Sequence, residues 1–279
     1  MDYIFFLRSY GDFVVALYAL KTKSNRQFNL IASSHLEPVY KAIQKAVNWA
    51  VPPVTFIDIN IKKGLLSAFT NKFFFRFDAF KELQLLSKYI NTIKQTDPEA
   101  IFWVEQRRRK KWLEMVTHNR FQSIHSNHRS NIYDSYNLFF NHGRYDDFIE
   151  AAGAVTQSII FPDSRLTKKQ IPEKFISHIL SKAAETEIEM RVARFNKEYK
   201  NFEELVLLIK NAEFIISADS LPAHLAQYIG IPHFICYTKK LNKEWITPFA
   251  RELTSYSIPD KKTKRNNANE SENITHLFS

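Results

Sequence analysis

The sequence predicts an α/β protein of two lobes, each built on a parallel sheet. Its 279 residues are enough for two modest α/β domains or one large one. Strand-like apolar runs alternate with helix-length segments, the pattern of βαβ units. The alternation also breaks near residue 150 and then starts again.

In the first half, DYIFFLRS (2–9) is a short apolar run and GDFVVALYALKTKS (11–24) is helical. FNLIASS (28–34) reads as a strand, LEPVYKAIQKAV (36–47) as a helix and PVTFIDI (53–59) as a strand. The long pattern FDAFKELQLLSKYINTIKQ (77–95) is helical, AIFWVEQ (100–106) is strand-like, and RRRKKWLEMV (107–116) continues as a helix. A weaker strand at RFQSIHS (120–126) precedes NHGRYDDFIEAAGA (141–154), which reads as a helix leading into a connection.

The second half opens with the strand QSIIFPDS (157–164) and the helix PEKFISHILSKAAE (172–185), started by Pro172. EIEMRVARF (187–195) reads as a strand. NFEELVLLIKNA (201–212) is a helix with Asn201 as N-cap and Glu204 three residues on, a capping-box spacing. EFIISAD (213–219), PAHLAQYIG (222–230) and PHFICYT (232–238) complete the set as strand, helix and strand. The expected boundaries are 1–150 for the first Rossmann-like lobe and 151–258 for the second, although one large sheet also fits the alternation. Residues 259–279 form a basic, polar tail without periodicity, expected to be disordered.

The formal net charge of +10 implies anionic company: nucleic acid, an acidic membrane surface or phosphorylated ligands. Part of it lies in EQRRRKKW (105–112), which fits a contact with an anionic partner as well as a solvated helix face. The basic residues are not interleaved with aromatics in a nucleic-acid-binding motif, so no nucleic-acid partner is expected. A single cysteine, Cys236, excludes an internal disulfide and falls in an apolar strand, where an inert core role is expected. MDYIFFLRSYGD reaches charge too early for a signal peptide, and no apolar run approaches the ~18 residues of a membrane span. The chain is expected to be soluble and cytoplasmic.

In open α/β sheets ligands bind beyond the carboxyl ends of the strands, where helix N-termini favour anions. Three stretches occupy such places. Asp219-Ser220-Leu221-Pro222-Ala223-His224 joins a buried strand to a helix; Ser220 suits an N-cap, and Pro222 tolerates the first turn. Gly11-Asp12 follows the first strand; Gly11 suits a tight turn, and Asp12 suits a helix cap or a general base. PDSRLTKKQIPEKF (162–175) carries Ser164, Arg165 and Lys169, which suit a diphosphate. Each alone also fits an ordinary capped helix or a solvated basic loop.

Together these residues resemble glycosyltransferase family 9, the bacterial ADP-heptose:lipopolysaccharide heptosyltransferases. The family's signature D-[TS]-G-x-x-H-L-A, followed by G-x-P, is similar to Asp219-Ser220-Leu221-Pro222-Ala223-His224-Leu225-Ala226 and Gly230-Ile231-Pro232, with Leu221 where the family carries glycine. FFLRSYGDFVVALYAL (5–20) is similar to its N-terminal strand–GD–helix, and Lys169-Gln170-Ile171-Pro172 to its Lys-x-x-Pro. HGRYDDFIEAAG (142–153) and WITPF (245–249) match it in pattern, whereas ARFNKEY (193–199) replaces a glycine-rich turn.

The resemblance implies a GT-B architecture, with two Rossmann-like lobes facing a central cleft. A nucleotide-sugar would bind the second lobe and an acceptor the first. Asp12 would be the base of an inverting transfer. Ser164, Arg165, Lys169, Asp219, Ser220, Pro222 and His224 would bind the donor. No metal and no cofactor are implied. The expected function is transfer of a heptose or related sugar, ADP-heptose favoured, to lipopolysaccharide or another anionic envelope glycan at the inner face of the inner membrane. A binding protein on the same fold, its donor pocket closed by Leu221, is the alternative.

Overall fold

The computed structural model describes residues 1–7, 9–21, 27–59, 77–125, 130–141, 157–237, 243–252 and 256–257. The chain divides into two compact units: residues 1–41 with 50–145, and residues 42–49 with 146–279. The expected tail at 259–279 and the connection at 142–153 lie outside the described residues.

The first unit carries β1 (Asp2–Phe6), α1 (Tyr10–Ala19), β2 (Phe28–Ser33), the first half of α2 (Glu37–Ala46), β3 (Val54–Ile57), α3 (Phe77–Thr96), β4 (Ile101–Gln106), α4 (Arg107–Thr117), β5 (Phe121–His125) and α5 (Ile132–Asn141). Its sheet has the order β3-β2-β1-β4-β5, and every pairing is parallel. Successive strand residues point to opposite faces, and β1 shows the result. Phe5 packs with Phe102 and Phe121 against Leu83, Leu86, Ile90 and Leu113 of α3 and α4. Phe6, one residue on, meets Phe13 of α1 and Tyr136 of α5. Helices therefore cover both faces, as a parallel sheet requires.

Helix α5 is not expected from the sequence; the helix expected at 141–154 lies, from residue 142 on, outside the described residues. Asn131 starts α5 by accepting the Tyr133 N–H on its side chain (2.9 Å). Ile132, Tyr133, Tyr136 and Phe140 supply its buried stripe.

The second unit carries β6 (Ser158–Phe161), α6 (Glu173–Glu185), β7 (Met190–Val192), α7 (Phe202–Lys210), β8 (Phe214–Ala218), α8 (Leu221–Ile229), β9 (His233–Cys236), α9 (Pro248–Glu252) and β10 (Tyr256–Ser257). Its sheet is also parallel, in the order β10-β9-β8-β6-β7. Ile160, Ile216, Phe234 and Cys236 face Ile171, Ile176 and Ile179, while Ile235 faces Ala223, Ile246 and Ala250. Cys236 is fully buried and burial pushes its thiol up, which suits an inert core residue. β7 is far shorter than the expected 187–195, because Glu187 takes a left-handed conformation (φ 58°) and residues 194–199 form a turn. No helix among the described residues is long and apolar enough to cross a membrane.

At α7 the N-cap half of the expected box forms, while the Glu204 carboxylate takes the Lys200 N–H at 2.6 Å in place of the Asn201 backbone N–H. Asn201 accepts the Glu204 N–H at 2.9 Å and donates its amide to the Glu204 carboxylate at 2.8 Å. Asn201→Ala is expected to lower stability by about 1 kcal/mol, read as a lower urea midpoint with an unchanged m-value.

Candidate functional site

Strand order reverses once in each sheet, and at that boundary neighbouring strands send their chains to opposite faces. In the second unit the boundary lies between β6 and β8. After β6 the chain makes a loop closed on itself: the Ile171 N–H donates to the Pro162 carbonyl (3.0 Å) and the Lys169 N–H to the Leu166 carbonyl (2.7 Å). A short 3₁₀ turn, Thr167–Lys169, sits on this loop. It brings the Lys169 Nζ to 2.6 Å from Oδ2 of Asp219, the residue that follows β8. The Asp219 side chain is 8% exposed and that of Lys169 is 32% exposed, so the pair is open to solvent on the lysine side.

Ser220 occupies the N-cap position of α8 with extended backbone, but its hydroxyl does not cap the helix. It donates instead to the Ala218 carbonyl at 3.3 Å. Pro222 stands in the first turn of α8, where its missing N–H costs nothing. Helix α8 ends at Gly230 in a left-handed conformation (φ 97°), which only glycine adopts without steric cost. Leu221 is the first residue of the helix and has no left-handed backbone, so glycine is not required there for conformation.

His224 is buried. Burial first, and the Lys169 charge second, lower its pKa to about 3, so the imidazole is neutral. Its ring meets Trp245 edge-on at 6.0 Å. His233, equally buried, is lowered to about 4, chiefly by burial. Its Nδ1 lies 2.9 Å from the Ile231 carbonyl and its Nε2 2.7 Å from the Thr247 hydroxyl. Thr247 Oγ1 in turn accepts the Ala250 N–H. The Thr-Pro pair that starts α9 is a helix-start signal in the sequence, and it lies within the WITPF segment.

The structure groups Lys169, Asp219 and His224 and places the remaining expected donor residues on the same elements. Ser164 accepts the Leu166 N–H within the β6 loop (3.4 Å). Arg165 is exposed on that loop, with no ion pair among the described residues. Sequence reasoning missed Arg194, which bridges Asp163 (2.8 Å) after β6 and Glu173 at the start of α6. Its partners lie 31 and 21 residues away, so no local spacing signals them.

In the first unit the order reverses between β1 and β4. Here the tight turn expected at Gly11 and the cap role expected of Asp12 need correction. Helix α1 begins at Tyr10, so Gly11 lies in its first turn with ordinary backbone and makes no tight turn. Ser9 is the cap, accepting the Asp12 N–H at 3.4 Å. Asp12 is the third helical residue and is fully buried. Glu105 near the end of β4 is also fully buried and accepts the Leu7 N–H at 3.0 Å.

Two parallel sheets with these strand orders, helices on their faces and ionisable residues at the reversal points define a GT-B architecture. No family model matches the chain, and no curated protein matches it. Solved structures do. The glycosyl transferase family 9 protein of Veillonella parvula is 12% identical, with 99% of this chain and 96% of that one covered at a TM-score of 0.62. E. coli heptosyltransferase WaaC with ADP-2-deoxy-2-fluoro heptose is 10% identical, covered 99% and 98%, at 0.58. E. coli ADP-heptose LPS heptosyltransferase II is 11% identical, covered 99% and 98%, at 0.57. The fold of this chain is therefore that of the heptosyltransferases over its whole length, as the sequence resemblance implied.

The two buried histidines make stability depend on pH. Unfolded imidazoles protonate below their ordinary 6.5, whereas the folded ones stay neutral down to about 4 and about 3. The unfolded state thus binds more protons as the pH falls, so stability is complete above 6.5 and drops below it. Two such groups give a limiting slope of about 2.7 kcal/mol per pH unit between roughly pH 6 and 4. Urea midpoints from pH 7.5 to 4.5 should show this fall, and His233→Asn should remove about half of the slope.

Proposed function

We propose that this chain is a divergent member of glycosyltransferase family 9. It transfers a heptose or related sugar from a nucleotide-diphosphate donor, ADP-heptose favoured, to a lipopolysaccharide or other envelope glycan. The observation that carries this reading is the Lys169–Asp219 pair at the β6/β8 reversal point, directly before the first turn of α8. An ammonium and the N-terminal amides of a helix together suit a diphosphate. The solved heptosyltransferase WaaC with that fold holds ADP or an ADP-heptose analogue.

In this reading Lys169 exchanges its contact with Asp219 for the donor phosphates, and the start of α8 supports them. As the sugar–phosphate bond breaks, negative charge grows on the leaving diphosphate, and a fixed ammonium stabilises it there without reorganisation. Neutral His224 adds no charge to compete with Lys169. Ser164, Arg165, Ser220 and Pro222 complete the donor side. Asp12 takes the proton of the acceptor hydroxyl as that oxygen attacks the anomeric carbon from the face opposite the leaving group, inverting it. The scheme needs neither a metal nor a cofactor. The +10 charge suits an anionic glycolipid acceptor, met at the cytoplasmic face of the inner membrane.

A second reading, a donor-binding protein without transfer, is favoured by the complete burial of Asp12. Thermal denaturation with ADP, other nucleoside diphosphates and ADP-heptose separates the cases. ADP at a hundredfold excess over its Kd should stabilise the protein by about 2.7 kcal/mol. Lys169→Ala should weaken ADP binding roughly tenfold or more. Flat curves with every nucleotide would overturn the donor site. Stabilisation without ADP release on adding ADP-heptose and lipopolysaccharide core would favour the binding protein.

A further inference from the structure

We propose that Glu105 is a positioning residue for Asp12, setting the β1–α1 junction from the neighbouring strand; this rests on the reading of Asp12 as the base. The β1–β4 ladder ends at the pair Phe5↔Val104 and the β1–β2 ladder at Phe6↔Ala32. Leu7 lies one residue beyond β1 and past the last pair of either ladder, although β2 runs on to Ser33 and β4 to Gln106 on their far sides. The Leu7 N–H is taken up by the Glu105 carboxylate at 3.0 Å, from 98 residues away in the sequence.

Glu105 is fully buried, and an ionisable group buried at a strand end is costly to keep. A sheet needs no carboxylate there for its own pairing. Five residues on from Leu7 lies Asp12, also fully buried, its own N–H held by the Ser9 hydroxyl. The stretch leading to the base is thus anchored at both ends: by Glu105 where it leaves the sheet and by Ser9 where it enters the helix. Tertiary anchoring of this kind fixes a reacting group closely, and small displacements of such a group reduce rate steeply.

The anchor needs an acceptor oxygen and not a charge, so Glu105→Gln keeps it and Glu105→Ala removes it. Hydrogen-exchange mass spectrometry on the full chain tests the anchoring without reference to activity. Glu105→Ala is expected to speed exchange over residues 7–12 and leave β6 to β9 unchanged, with Glu105→Gln close to the parent. Release of ADP from ADP-heptose with lipopolysaccharide core as acceptor tests the consequence. Per folded molecule, kcat should fall at least tenfold in Glu105→Ala at a donor KM within twofold of the parent, and Glu105→Gln should recover a third or more of it.

Unchanged exchange over residues 7–12 in Glu105→Ala overturns the proposal, as does an unchanged kcat per folded molecule. Asp12→Asn separates the two levels. If it abolishes transfer while Glu105→Ala does not, the positioning role falls and the base stands. If Asp12→Asn transfers normally, both fall.

Discussion

A parallel strand reaches its neighbour only by crossing back over the sheet, and that constraint organises both units. All described pairings in the two sheets are parallel. Every strand must then be followed by a crossover segment, and all carboxyl ends of a sheet lie along one edge. Where the order reverses, adjacent strands part and their last backbone groups lose ladder partners. Glu105 and Leu7 meet at one such place, between β1 and β4. Lys169 and Asp219 meet at the other, between β6 and β8. Polar side chains gather there because they satisfy what the sheet leaves open.

The buried polar groups divide by what their hydrogen bonds leave for a ligand. In the His233 chain, the Ile231 carbonyl can only accept, so Nδ1 carries the proton; in the neutral ring Nε2 then accepts from the Thr247 hydroxyl, whose oxygen accepts the Ala250 N–H. One neutral tautomer satisfies the whole chain, in keeping with the downward pKa shift. That is a lock between β9 and α9, with every proton used. The Lys169–Asp219 pair is different: it is partly exposed, and a lysine ammonium has three donors. An anion arriving there gains charge-assisted contacts without breaking the core.

Most of the architecture was legible because it is local. Alternating strand and helix patterns, the Asn201–Glu204 cap and the Asp219-to-Gly230 stretch each depend on residues close in sequence. Helix α5 escaped because its start rests on one Asn131 contact and its buried face is largely aromatic. At α1, the Gly-Asp pair drew the boundary one residue late, whereas Ser9 carries the cap. Glu105 and Arg194 were invisible for another reason: their partners lie 98, 31 and 21 residues away, and no periodicity encodes a contact that the sheet order creates.

The scarcity of glycine, five in 279 residues, looks at first like a threat to a fold rich in tight turns. The backbone shows how it is met. Only Gly230 among the described glycines has positive φ, while Asn196 (φ 64°) and Glu187 (φ 58°) hold left-handed positions elsewhere. Glu187 follows the cap of α6 in a Schellman arrangement, with the Ile188 N–H on the Ala183 carbonyl at 2.9 Å. Asn196 sits in the turn where the resembling family is glycine-rich, and the Asn196 N–H and Tyr199 carbonyl close it at 2.8 Å. Each non-glycine residue held this way costs about 1–2 kcal/mol, a burden two buried cores can carry. Leu221 incurs no such cost, since its backbone is helical. A full-length fold match at 10–12% identity follows naturally: side chains at turns can change widely as long as the strand order and its two reversal points are kept.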